Sequence, residues 1–462
     1  VLAALPRRLR RAGHDARVIL PLYDTAEPHV AKLGPLADIT GELDLRLGAN
    51  HYALHVLERA ATASEPALWF VRCPALYARG SIHTNDRDEH MRVLALTWAA
   101  LATCQRTGFA PDILHCNDWH AALLPLTLKT RFSWDRLFAR ARTLLTIHNL
   151  NYQGSFPAAI LRDTNLADSA HLFHQDRLRA GRVNFLVQGI LYADGVSTVS
   201  PTYAREIQTP EHGAGVDGLL RARSSTVVGI LNGVDYEEWS PARDPHIAVR
   251  YDAPDLDGKE RNKQALLHAC GLPYRAGVPL FGVVSRLASQ KGFDLIGEVL
   301  PGMLRRYEMQ LVVLGSGESR YQAMLGRLAH HFPHKVHFHR GFSNPLAHLI
   351  EAGADAFLMP SRYEPCGLNQ MYSLRYGTVP IVHRTGGLAD TVDPFDARRD
   401  AGTGFSFAHH DAAGLRWAIE SALSAYRDRA AWRRLMLRGM AADFSWDAQA
   451  KLYEQLYARL LA

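Results

Sequence analysis

No apolar run in this 462-residue chain approaches the ~18 residues that a membrane-crossing helix needs, so no span is expected. Cysteine is sparse: Cys73, Cys104, Cys116, Cys270 and Cys366 are odd in number, widely spaced and never set as CxxC. This argues against a disulfide framework and a cysteine-built zinc site, and it suggests a reducing compartment. Histidines and carboxylates also lack convincing metal-ligand spacing, so neither a metal nor another cofactor is expected. The net charge of +6 invites a nucleic-acid reading. Yet the arginines are scattered through amphipathic helices, with no dense basic run or nucleic-acid motif, and an anionic small substrate explains the excess equally well. Lysine is scarce beside arginine, which makes each lysine more telling. What remains is ordinary globular composition, 47% hydrophobic and 21% charged, in a chain long enough for two or three domains.

Short apolar runs alternate with helical patterns along most of the length. In the first part the runs are 17–22, 68–72, 112–116, 142–147 and 195–199, with helical patterns at 89–107, 119–129 and 202–208. After a linker-like segment at 239–245 carrying Pro241 and Pro245, a second series follows at 279–285, 310–314, 336–339, 354–359 and 379–383. Strands alternating with helices indicate βαβ units, so the fold class is α/β, with two doubly wound Rossmann-like domains. Ligands of such sheets bind outside the carboxyl ends of the strands. The polar clusters at those ends are therefore the candidate sites.

In the first series the strand ends carry Asn117-Asp118-Trp119-His120, the run from His148 and Asn149 through Tyr152, Gln153 and Gly154, and Ser200-Pro201. Asp118 and His148 are placed to converge there, although singly Asp118 is equally a helix N-cap and His148 a core histidine. Asn232-Gly233 is by itself a tight-turn signal. In the second series Arg286 and Lys291 flank a loop that opens a helix, a suitable receptor for a diphosphate. Gly315-Ser316-Gly317 lacks the third glycine of a dinucleotide fingerprint and more simply lets a ligand pass close to the backbone. Glu364 lies in the strand-to-helix loop 360–368, beside Cys366, Gly367 and Leu368, and the helix that follows carries Tyr372 and ends at Gly377. Thr385-Gly386-Gly387 precedes another helix start and is read as offering N–H groups to a phosphate.

With Ser285-Arg286-Leu287, Gln290-Lys291-Gly292, Glu364-Pro365-Cys366-Gly367-Leu368 and 385–392 all in order, the chain closely resembles glycogen and starch synthases. Asp118-Trp119-His120, His148-Asn149-Leu150, 152–154, 200–207 and 232–235 extend the resemblance over nearly the whole length, and they favour the bacterial type that uses ADP-glucose. Tyr372, eight positions after Glu364, is typical of the synthases. The resemblance implies a GT-B type glycosyltransferase fold of glycosyltransferase family 5, its two domains facing a central cleft. It implies an acceptor domain at 1–241, a donor domain at 242–444 and a final helix at 445–462 that returns to the first domain, two crossings that would form a hinge for closure.

The implied reaction is transfer of glucose from ADP-glucose to the nonreducing end of an α-1,4-glucan with retention of configuration. Glu364, His148, Arg286, Lys291 and Asp118 would carry it. Asn149, Tyr152, Gln153, Asn232, Gly315, Cys366, Gly367, Leu368, Tyr372, Thr385, Gly386 and Gly387 would bind the substrates. No nucleic-acid or membrane partner is implied. A phosphorylase-like glucan enzyme and a noncatalytic glucan-binding fragment are the competing readings. Two departures stand out: the family's first strand and its Lys-x-Gly-Gly-Leu loop do not precede the helical pattern at Val1, so the chain is expected to be trimmed at its N-terminus, and Gln188 stands where relatives commonly carry lysine. The bacterial cytoplasm is the implied compartment, with a plastid left open by the missing N-terminus.

Overall fold

The computed structural model describes residues 1–82, 84 and 86–462. It forms two compact units, one of Val1–Val199, Ala204–Ile230 and Gln449–Ala462, the other of Ser200–Tyr203 and Leu231–Ala448.

Strands of the first unit are β1 (Arg17–Pro21), β2 (Ala37–Asp38), β3 (Leu43–Leu47), β4 (Asn50–Arg59), β5 (Ala67–Arg72), β6 (Ile113–Asn117), β7 (Arg142–Ile147), β8 (Ser155–Pro157), β9 (Arg182–Asn184), β10 (Gly195–Thr198) and β11 (Val227–Gly229). A parallel sheet runs in the order β11-β10-β7-β6, as the alternating pattern leads one to expect. The neighbouring sheet departs from it. There β1 pairs with β5 in parallel, but β4 is antiparallel to β5, β3 and β2. The physical reason is legible in β3, where Leu45 and Leu47 are buried and Asp44 and Arg46 exposed, the period of two of a strand with one wet face. Only Gly48 and Ala49 separate β3 from β4, a hairpin connection too short for a parallel crossover. The helix expected at 119–129 is split into Asp118–Ala121 and Leu124–Arg131. Pro125 lies in the first turn of the second piece, where its missing N–H is harmless, and it blocks continuation of the first.

In the second unit β12 (Leu280–Val284), β13 (Gln310–Gly315), β14 (Val336–Arg340), β15 (Ala356–Met359), β16 (Val379–His383) and β17 (Phe405–Phe407) form one parallel sheet in the order β14-β13-β12-β15-β16-β17. Alternate residues of β13 face opposite layers: Leu311 and Val313 pack with Ile296 and Leu300, Val312 and Leu314 with Leu266 and Ile350. Strand order reverses between β12 and β15, which places a topological switch point at their carboxyl ends. The main stretch of this unit begins at Leu231, and the segment read as a linker packs onto it. Trp239 stacks between His348 and Tyr372 with ring centroids 3.8 and 3.9 Å away, and Val234 pairs with Ser445.

From Gln449 onward the last helix, Trp446–Leu461, belongs to the first unit. Its Tyr457 hydroxyl meets His115 Nδ1 at 2.8 Å, while Thr146 Oγ1 lies 2.6 Å from the other ring nitrogen. Burial, with His148 acting in the same direction, pushes the His115 pKa down from 6.5 to about 3. The unfolded chain therefore takes up a proton that the folded chain refuses, and the stability this histidine contributes at neutral pH is lost as pH falls from 6.5 toward 3. Urea unfolding at stepped pH should show a loss of up to about 1.4 kcal/mol per pH unit from this group, absent in His115→Gln. An equal slope in the variant would assign the acid sensitivity to other groups.

Candidate functional site

After β15 the chain passes through 360–368 without regular structure and enters the helix Asn369–Arg375. Glu364 lies on this loop only 6% exposed, and a buried carboxylate requires partners. It has them: Oε2 accepts from Lys291 Nζ at 2.6 Å and from Ser361 Oγ at 3.0 Å. Lys291 arrives from the loop after β12, so the ion pair joins the two strand ends at the switch point. Gly292 makes this possible, because its φ is +75° and a Cβ there would lie 1.9 Å from the Pro360 carbonyl oxygen. The loop after β16 approaches just as closely. A Cβ on Gly386, φ +45°, would lie 2.0 Å from the Glu364 carbonyl oxygen, and one on Gly387 would lie 2.1 Å from that of Cys366.

This close approach corrects one expectation. The Gly387 N–H donates to the Glu364 carbonyl at 3.0 Å, so it holds the loop and is not free for a phosphate. The Thr385 N–H likewise bonds to the His383 carbonyl. Arg286 is exposed on the β12 loop, three residues before the Ser289–Lys291 turn. Gly315 at the end of β13 packs against the Ser285 carbonyl, where a Cβ would be 2.2 Å away. Cys366 is buried, and burial pushes its thiol up to about 12, which fits a small packing residue and not a nucleophile. The Asn232 backbone amide opposes that shift, while its buried side-chain Oδ1 has no hydrogen-bond partner. Gly367 and the half-exposed Leu368 complete the turn into the helix. Tyr372, expected to contact substrate, has one ring face covered by Trp239 at an interplanar angle of 2°. Phe342, which sequence reasoning missed, is 85% exposed just beyond β14, where Gly341 bonds back to Gly315. Only the solvent-facing placement of its ring marks it, and no sequence pattern reports that.

In the first unit Asp118 and His148 do come together. Asp118 Oδ1 accepts from the His148 backbone N–H at 2.7 Å, and the ring Nε2 donates to Asn117 Oδ1 at 2.9 Å. Asp118 adopts φ +54°, an uncommon conformation for a residue with a side chain, and it is the turn that aims its carboxylate back at β7. Burial lowers the His148 pKa and Asp118 partly offsets this. Asn149 Oδ1 accepts from the Asn151 N–H, and Tyr152 stands 57% exposed. Gln153 is engaged at both ends, donating to the Ala214 carbonyl and accepting from Asn184. Gln188 is buried, with its Oε1 lacking a partner. Among the described residues no group of three or more His, Cys, Asp or Glu is arranged to hold a metal ion.

Residues 1–222 match the family model described as starch synthase catalytic domain, and 273–435 match glycosyl transferases group 1. A glycogen synthase of Anaeromyxobacter sp. (strain Fw109-5) is 45% identical over 466 residues, covering all of this chain and 95% of that protein. One from Thioalkalivibrio sulfidiphilus is 44% identical over 483 residues, covering 100% and 96%. Among solved structures, the catalytic domain of starch synthase IV from Arabidopsis thaliana, bound to ADP and acarbose, superposes with a TM-score of 0.89 at 33% identity, covering 100% of this chain and 95% of that one. A sucrose-phosphate synthase from Thermosynechococcus elongatus, 18% identical over 99% of this chain and 91% of its own, shares the fold with a TM-score of 0.61.

Removing one partner of a buried pair strands the other charge, so Lys291→Met should lower stability by about 3–5 kcal/mol. Adding Glu364→Gln should restore a good part of it, giving a coupling energy above about 1 kcal/mol in a double-mutant cycle by denaturant unfolding. Simple additivity would mean that water already screens the pair.

Proposed function

The chain belongs to the starch synthase family of glycosyltransferases, and on that premise we propose that it is a glycogen (starch) synthase, transferring glucose from ADP-glucose to the nonreducing 4-hydroxyl of an α-1,4-glucan with retention of configuration. The fold is of GT-B type, the first unit taking the glucan and the second the donor. The observation that carries the reading is the Lys291–Glu364 pair at the switch point of the second sheet. The Arabidopsis relative was solved with ADP and acarbose, which supports a diphosphate nucleotide as donor product.

The C1–oxygen bond to the diphosphate breaks with its electron pair leaving on ADP. The acceptor hydroxyl attacks from the same face, and its proton passes to a donor phosphate oxygen. Arg286 and Lys291 stabilise the charge that grows on the diphosphate; an ammonium has three donors, so Lys291 can serve a phosphate while holding Glu364. Glu364 Oε2 is already engaged by an ammonium and a hydroxyl, which weakens it as a nucleophile and leaves Oε1 to receive a sugar hydroxyl. A retaining glycosidase would instead set two free carboxylates about 5–5.5 Å apart. The exposed Phe342 ring offers the adenine base a surface for stacking. On the first unit, His148 holds the glucosyl group and Asp118 orients it through the His148 backbone. Tyr152 presents an aromatic face to the acceptor, with Asn149 and Gln153 beside it. Five buried free cysteines support a reducing compartment, and we assign the enzyme to the bacterial cytoplasm.

A radiolabelled transfer assay should show incorporation into glycogen from ADP-glucose well above that from UDP-glucose. Equal or inverted rates would overturn the donor assignment. Glu364→Gln should lower kcat about 100-fold while ADP affinity changes little, because the proposed contact is to the sugar. A variant that keeps parental turnover would remove Glu364 from the sugar site.

A further inference from the structure

An irregular loop has no ladder to satisfy its backbone, so each carbonyl of 360–367 needs a partner from elsewhere. Most of those partners are side chains or amides of the flanking loops. Gln290 donates to the Tyr363 carbonyl, Gly387 to that of Glu364, and Gln370 to those of Cys366 and Gly367. The carbonyls of Ser361 and Pro360, three and four residues before Glu364, are met by histidines. His383 Nδ1, at the end of β16, lies 2.8 Å from the Ser361 oxygen, and His410 Nε2, three residues beyond β17, lies 3.0 Å from the Pro360 oxygen. Their rings meet edge to face with centroids 5.0 Å apart. Because a carbonyl only accepts, each histidine must carry its proton on the nitrogen that faces the loop. Burial lowers the His410 pKa, with His383 and Arg362 adding to it, which favours a neutral ring in that single tautomer.

The consequence runs through Ser361. Its carbonyl is held by His383 and its hydroxyl donates to Glu364 Oε2, so one residue connects the histidine pair to the carboxylate. Pro360 restricts the backbone on one side, and Gly292 lies against its carbonyl. Taking the reading of Glu364 as the sugar contact as its premise, we propose that His383 and His410 are positioning residues of the donor site. Through backbone carbonyls, they fix the loop that aims Glu364 at the glucosyl hydroxyls. Neither touches substrate. Their N–H donors carry the effect, and the imidazole is replaceable by any group that puts a donor at the same point.

That last statement supplies the test. His410→Phe keeps the ring packed on His383 but deletes the donor, and His410→Gln places an amide N–H near the position of Nε2. In the enzyme, His410→Phe should lower kcat about tenfold or more, within the ~100-fold that a reacting geometry misplaced by an ångström can cost, with the ADP dissociation constant and donor KM within about twofold. His410→Gln should stay within about threefold of the parent in kcat. At the more buried His383, where the donor is Nδ1, His383→Asn should retain activity and His383→Leu lose it, with the melting temperature of each variant recorded alongside. Parental kcat in His410→Phe overturns the proposal, as does a His410→Gln variant no better than His410→Phe, which would mean that ring packing is what matters. Loss of ADP affinity in step with kcat would show a general structural role and overturn it as well. Glu364→Gln assayed in parallel separates the two levels: if it is impaired while His410→Phe is not, only the positioning role fails. If Glu364→Gln itself keeps parental turnover, the sugar-contact reading fails and takes this proposal with it.

Discussion

A carboxylate taken out of water must be compensated where it lies, and in the second unit that requirement organises three loops around Glu364. The ammonium of Lys291 comes from the end of β12 and the Ser361 hydroxyl from the same loop after β15, while the Gly387 amide, from the turn after β16, holds the backbone carbonyl of Glu364 and not its carboxylate. Parallel strands end at one edge of the sheet, so loops from neighbouring strands meet there without long excursions. Approach this tight excludes side chains at the contact points. Glycine at 292, 386 and 387 is therefore dictated by the space between backbones and not by turn preference alone.

An ion pair this enclosed is poor evidence for added stability, since desolvating two charges offsets much of their attraction. Its value here is directional. With Oε2 fixed by two donors, the carboxylate plane cannot rotate freely, and Oε1 is left at a defined point for a hydroxyl to find. Lysine elsewhere in this unit is used in the same way. Lys263 donates to Asp355 and Lys259 to Thr378, both from nearly full burial, and burial pushes the Lys259 ammonium down to about 7. The scarcity of lysine thus reflects a division of labour: arginine covers much of the surface, while several of the few lysines act as compact buried hydrogen-bond donors.

Local periodicity makes most of the architecture legible in the sequence. Runs such as Arg142–Ile147 and Val379–His383 are strands over the same residues that the apolar pattern marked, and Glu89–Thr107 is the helix its pattern marked. The antiparallel segment from β2 to β4 falls outside the βαβ pattern because no helix separates its strands, which follow one another through short connections. At the strand ends of the first unit the residue types mark Asp118 and His148 as placed to converge, and these two do meet. What could not be read was which atom meets which. Lys291 and Glu364 are far apart in sequence, and nothing local says that the cation read as a phosphate receptor also pairs with the carboxylate. The Gly387 amide looked available because a glycine pair before a helix usually is, and only the approach of the Glu364 carbonyl shows it occupied. His383 and His410 belong to no motif, so backbone bookkeeping alone reveals them.

The helix Asn369–Arg375 that leaves this loop has its own backing, and the backing explains why Tyr372 sits where it does. Its ring lies flat on Trp239, whose other face lies on His348. His348 is buried and shares Asp244 with the Tyr376 hydroxyl; burial alone would raise the pKa of that carboxyl, but the two hydrogen bonds from His348 and Tyr376 more than compensate and lower it. Next to Tyr372, Ser373 donates to Glu351, a buried carboxyl that burial pushes up to about 8. A helix of seven residues has little stability of its own, so its position must come from packing. Aromatic stacking on one side and a buried polar cluster on the other supply that packing, and both are stiffer than aliphatic contact because each fixes orientation as well as distance. The segment read as a linker is consequently part of the second unit's frame. Trp239 holds the end of the loop that leads away from Glu364 as firmly as Gly292 and the histidines hold the end that leads toward it.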